Sequence, residues 1–153
     1  MVRSSTTERA SRLQKAIMGA AKANEEALQR VQMIRGALDQ IDGPDPKLVA
    51  RVNAVDKTLR DIDEGINGDP TLRAANEPAP PALVDRITTA VNGFTTTVPP
   101  TNTHREALAI AEQQFVPLLA RLKTAIETDL AAIEKELNAA GAPWTPGRIP
   151  EWR

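Results

Sequence analysis

One run of sequence constrains this chain more than any other. From Thr103 to Gly141, apolar residues recur at Leu108, Ala111, Phe115, Leu119, Leu122, Ile126, Leu130, Ile133 and Leu137. Steps of three and four wind these positions into one stripe along an α-helix. Thr103 with Glu106 three positions on has the form of a capping box. Gly141, with Pro143 just beyond it, is a stop signal. At ~1.5 Å per residue such a helix is more than ~50 Å long, too long to be buried by one short partner.

A second helix of similar length opens the chain. Ser5 with Glu8 forms another capping-box pattern, and the apolar stripe runs through Leu13, Ile17, Ala20, Asn24, Leu28, Val31, Ile34 or Arg35, Leu38 and Ile41. Asn24 stands on that stripe, either as a polar site in the core or as a hydrogen-bonded spacer that sets register. Asp42-Gly43-Pro44-Asp45-Pro46 then makes a turn. Gly43 ends the helix, Asp45 caps the next, and Pro46 takes its first position. Leu48, Val52, Val55, Leu59, Ile62 and Ile66 carry the second stripe, and so short a turn folds it back antiparallel to the first.

Periodicity stops between Asn67 and Pro81, where Asn67-Gly68-Asp69-Pro70 and Asn76-Glu77-Pro78-Ala79-Pro80-Pro81 favour turn and extended backbone. A shorter helix follows, with Leu83, Ile87, Val91 and Phe94 inward, and Pro99-Pro100 separates it from the last helix. Pro117 lies inside that last helix and costs about 3 kcal/mol there. A bend near Gln113–Pro117 is the expected result.

The reading is a single all-α domain over 1–153, an antiparallel up-down bundle of four helices at about 6–41, 46–66, 82–93 and 104–140, with a tail at 141–153. The two middle helices together match the length of either long one. They form either two arms of a four-helix bundle or one broken middle column of three. Aromatics make up only 3% of the 153 residues, so Ala, Leu, Val and Ile must do the packing, which suits close-packed helices.

Composition also excludes functions. A formal charge of −1 with no basic run argues against nucleic acid or an anionic membrane as partner. No apolar window approaches the length of a membrane-spanning helix. The absence of cysteine removes disulfides, thiolate metal sites and a cysteine nucleophile. The N-terminal residues lack the apolar core of a signal peptide.

Little chemistry is visible. The one histidine, His104, has neither a second histidine nor a nucleophile at a useful spacing. Asp61 to Asp69 fails the spacing of a calcium loop, since counting from Asp63 puts Gly65 at the third position and Ala74 at the twelfth. Glu8 with Arg12, Glu26 with Arg30 and Asp56 with Arg60 read as solvated pairs on helix faces. No catalytic residue, cofactor site or metal ligand is assigned.

A resemblance takes the reading further. Asp69-Pro70-Thr71-Leu72-Arg73, Asn76-Glu77-Pro78, Pro99-Pro100-Thr101-Asn102-Thr103 and Arg105-Glu106-Ala107 begin a pattern. It ends in Gly141-Ala142-Pro143-Trp144-Thr145-Pro146-Gly147-Arg148-Ile149-Pro150-Glu151-Trp152. This pattern resembles the helical C-terminal region of bacterial sortilin-like, BNR (Asp-box) repeat β-propeller proteins of the glycosyl-hydrolase kind. The resemblance implies an accessory domain cut from a larger parent that is often exported, with Met1 added. Its partner would be the parent propeller or another protein. No propeller strand or Ser-x-Asp-x-Gly-x-x-Trp motif is present, so no hydrolase residue carries over. Trp144, Ile149 and Trp152 in the tail, with Asn76, Glu77 and Arg105, are the candidate interaction residues. A stand-alone protein-contact module is the alternative, and a contribution to a glycosidase site a third reading.

Overall fold

The computed structural model describes residues 2–41, 43–69, 75, 82–95 and 102–139. The fold is an all-α bundle of four helical rods, with no strand among the described residues. Helix α1 covers Val2–Asp39, α2 Pro46–Asn67 and α3 Leu83–Thr95. The fourth rod is composite: α4 (Asn102–Lys123), a π-helical segment (Thr124–Leu130) and α5 (Ala131–Ala139).

Local chemistry explains several of these boundaries. Asp45 caps α2, its carboxylate accepting from the Lys47 backbone N–H at 3.0 Å, and Pro46 occupies the first turn. Gly43, at φ 65°, supplies the left-handed backbone that this turn requires. Gly68, at φ 83°, ends α2 and donates its N–H to the Glu64 carbonyl at 2.8 Å. The two capping-box expectations are corrected. Helix α1 already runs from Val2, and α4 from Asn102, so Ser5 and Thr103 lie inside helices rather than ahead of them.

Contacts between rods set their directions. Asn24 of α1 reaches Leu59 of α2, while Arg35 reaches Asp56, so the later α1 residue meets the earlier α2 residue and the two helices run oppositely. Arg9 pairs with Glu112 and Arg30 with Glu134, so α1 and the fourth rod run in the same direction. Arg51 meets Glu136, and a β-carbon on Gly65 would meet Leu118, so α2 runs against the fourth rod. Helix α3 packs mainly on α1 and α4 and far less on α2. Its start, at Val84, lies with Met18 of α1 and Asn67 of α2. Of the two arrangements left open by the sequence, the contacts match three columns: α1, a broken middle column of α2 followed by α3, and the composite rod.

The core lies along the shared axis. In α1 a buried stripe runs through Ala10, Ile17, Ala20, Asn24, Ala27, Val31, Ile34 and Leu38, with Leu13 partly buried between the first two and Ala37 buried beside it. In α2 the stripe is Val52, Val55, Leu59, Ile62 and Ile66, with Asp56 buried beside it. Both sets step by three and four in alternation, the seven-residue period of left-handed supercoiling. The fourth rod keeps that period through Leu108, Ala111, Phe115, half-buried Leu118, Leu122 and Ala125. It then takes a step of five to Leu130 before Ile133 and Leu137.

That extra residue is the π-helical segment. The stripe expected from sequence is corrected here: Ala125 is 1% exposed, while Ile126 and Leu119 are only partly buried. The fourth rod must follow the supercoil of its two neighbours. A stripe drawn on a straight α-helix drifts by roughly 20° per heptad from that path. One residue inserted as a π turn re-phases the rod locally, and the Ala131 N–H closes it on the Thr128 carbonyl. Helix α4 continues through Pro117, which is solvent-exposed, and the π-helical segment lies further on, at Thr124–Leu130. On the solvent side a carbonyl that loses its helical donor meets water, which lowers the proline's cost.

Candidate functional site

Among the described residues, grooves run between the rods, and one lies beside the π segment. It holds about 360 Å³ between α2 and the fourth rod, lined by Arg51, Ala54, Val55 and Thr58 on one side and Thr128, Asp129, Ala132 and Ile133 on the other. The π turn presents Thr128 and Asp129 to solvent at its edge. Arg51 Nη1 donates to Glu136 Oε2 at 2.6 Å. That hydrogen bond raises the Arg51 pKa; burial opposes it, and the negative charges of Glu136 and Asp129 add to the rise. Thr58 donates its hydroxyl to the Ala54 carbonyl at 3.0 Å. The groove therefore holds a fixed cation, a carboxylate and two hydroxyl groups, with no nucleophile–base pair. Such a surface suits binding better than turnover.

A larger groove, of about 780 Å³, opens where the middle column is broken. Ile17, Met18, Ala21, Lys22, Glu25 and Leu28 of α1 line it, with Asp63 and Asn67 of α2 and Val84 of α3. Met18 in that lining is 65% exposed. A third groove, of about 210 Å³, lies at the α1–α2 turn between Arg35, Leu38, Pro44 and Val49.

Asp56 sits beside that turn. Its Oδ2 forms ion pairs with Arg60 at 3.0 Å and Arg35 at 3.3 Å, while its Oδ1 is buried with no hydrogen-bond partner. The sequence placed Asp56 on a solvated face with Arg60; it is in fact buried, because the α1–α2 crossing brings Arg35 over it. Arg30, read as a partner of Glu26, instead donates to Glu134 of the fourth rod at 2.8 Å.

Of the interaction residues singled out from sequence, Arg105 is the one that falls among the described residues. Arg105 is exposed in the first turn of α4, at the opposite end of the rod from the π segment. Asn76, Glu77, Trp144, Ile149 and Trp152 lie outside the described residues. His104 is half-buried near Arg105 in the same turn. Among the described residues, no group of three or more His, Cys, Asp or Glu side chains is placed to hold a metal ion. Asp61 instead pairs with Lys57 at 2.9 Å, and Asp63 accepts from Asn67 at 2.9 Å. No described helix is long and apolar enough to cross a membrane.

Comparison with known proteins adds no family to this geometry. No protein-family model matches the chain, and searches of curated proteins and of solved structures found no significant match.

Proposed function

We propose that this chain is a non-catalytic helical accessory domain of a larger BNR-repeat, glycosyl-hydrolase-like protein, where it makes contacts to the parent propeller or to another protein. The observation that carries the reading is the residue pattern ending in Trp144-Thr145-Pro146-Gly147-Arg148-Ile149-Pro150-Glu151-Trp152. A rod-shaped bundle lends support, since long parallel columns present extended grooves rather than an enclosed pocket. Trp144, Ile149 and Trp152 are the residues assigned to the contact, with Asn76, Glu77 and Arg105 as secondary candidates.

The test begins with the open reading frame around this sequence and the parent protein it encodes. The parent with and without residues 1–153 is assayed on glycosides beside the isolated domain. The expected result is turnover by both parent forms and none by the isolated domain. Turnover by the isolated domain overturns the reading.

A stand-alone protein-contact module is the second reading. The feature to test for it is the groove of about 780 Å³ whose wall carries Met18, 65% exposed. That reading predicts a protein partner whose binding is lost on Met18→Asp and does not require any propeller.

A further inference from the structure

We propose that the fourth rod is a register switch with two packings, a π-turned form and a continuous α-helix, which exchange Ala125 for Ile126 in the core. Two stripes coexist in its sequence. Leu108, Ala111, Phe115, Leu118, Leu122 and Ala125 keep a seven-residue period, which resumes at Leu130 only after one extra residue. Leu108, Leu119 and Leu130, with Phe115, Ile126 and Leu137, instead repeat every eleven residues along an unbroken α-helix.

Opposing terms bring the two forms close in free energy. The π-turned form follows the supercoil of α1 and α2 but accepts π geometry and places small Ala125 at 1% exposure. The continuous form restores α-helical hydrogen bonding and buries the larger Ile126. Its eleven-residue spacing, however, departs from the left-handed path of the neighbouring columns. Leu118, Leu119 and Ile126 are all partly buried against the core, so either set needs only a modest rotation to enter it.

Conversion turns the rod below Leu130 against α1 and α2. The Arg30–Glu134 and Arg51–Glu136 pairs must then re-form, and the groove beside Thr128 and Asp129 changes shape. A molecule touching that face biases the equilibrium toward the form it fits.

The chain has no cysteine, so introduced pairs report cleanly. Nitroxide labels at Met33→Cys and Lys135→Cys span α1 and α5, and a control pair at Arg12→Cys and Gln113→Cys lies above the π segment. The expected result is two distances for the lower pair and one for the control. Ile126→Gln then leaves only the π-form distance, and Ala125→Gln only the other. Deletion of Glu127, which removes the extra residue, gives a single distance even where a substitution prevents folding by circular dichroism. A single lower-pair distance in the parent sequence, or two distances that neither substitution nor deletion shifts, overturns the proposal.

Discussion

Arg30 donates to Glu134 at 2.8 Å across 104 positions of sequence, one position more than separates Arg9 from Glu112. The two pairs lie on either side of the π segment along the same pair of parallel rods. Their difference of one residue matches the residue that the five-step from Ala125 to Leu130 inserts into the heptad pattern. The ion pairs agree with the core spacing that one residue is gained between Glu112 and Glu134, and the core spacing places it at the π segment.

Deleting one residue at the π turn should be tolerated where deletion elsewhere in the rod is not. Glu127 is exposed, and its removal leaves Leu122 and Leu130 seven positions apart, an unbroken heptad. The expected melting temperature is equal to or above that of the parent chain. Deleting exposed Gln113 instead rotates Leu108 and Ala111 off the core and is expected to cost roughly 4 kcal/mol or more. Thermal melts of the two variants check this.

Asn24 is a polar residue whose replacement should stabilise. Its Nδ2 donates to the Leu59 carbonyl at 3.0 Å, but its Oδ1 is buried with no hydrogen-bond partner. Asn24→Leu removes that unpaired acceptor while keeping the same branched heavy-atom skeleton, for an expected gain of about 1 kcal/mol. Urea unfolding should show a higher midpoint with an unchanged slope. A lower midpoint would show that the Asn24–Leu59 hydrogen bond outweighs the orphaned oxygen.

Three helical glycines separate propensity from packing. A β-carbon on Gly19 or Gly36 meets nothing within 4 Å, so Ala at either position should gain about 1 kcal/mol. On Gly65 the same atom would stand 3.1 Å from Leu118 Cδ1, and Gly65→Ala should gain clearly less. Chemical denaturation of the three single variants ranks them.

The Arg51–Glu136 pair should be insensitive to pH near neutrality. The Arg51 pKa is raised, chiefly by its hydrogen bond to Glu136, so its contribution is fully present below the unfolded pKa and is lost only as pH climbs through the higher folded value in strongly alkaline solution. Both side chains are substantially exposed, and Arg51→Gln should cost under about 1 kcal/mol. The cost should be the same at pH 6 and pH 9. A cost that differs between them would point to another titrating partner.

Much of the bundle is legible in the chain alone. Alternating steps of three and four place Val52, Val55, Leu59, Ile62 and Ile66 in the core because helical periodicity is a local property. Asp45, Pro46 and Gly68 mark the ends of α2 through groups that each act within one turn. The grooves are less legible. Arg51 and Thr58 come from α2, and Thr128 and Asp129 from the fourth rod; no spacing along the sequence joins them.

The choice between Ala125 and Ile126 is where sequence and tertiary structure part. By itself the sequence determined an all-α chain, and the apolar face and caps of the second helix, since those depend on neighbours three or four residues away. Only the packing of three columns decided that the last rod takes a π turn, that Asp56 is buried beneath Arg35, and that α1 runs parallel to its distant partner. An isolated helix has no reason to leave α geometry; it does so here because two supercoiled neighbours set the path that its stripe must follow.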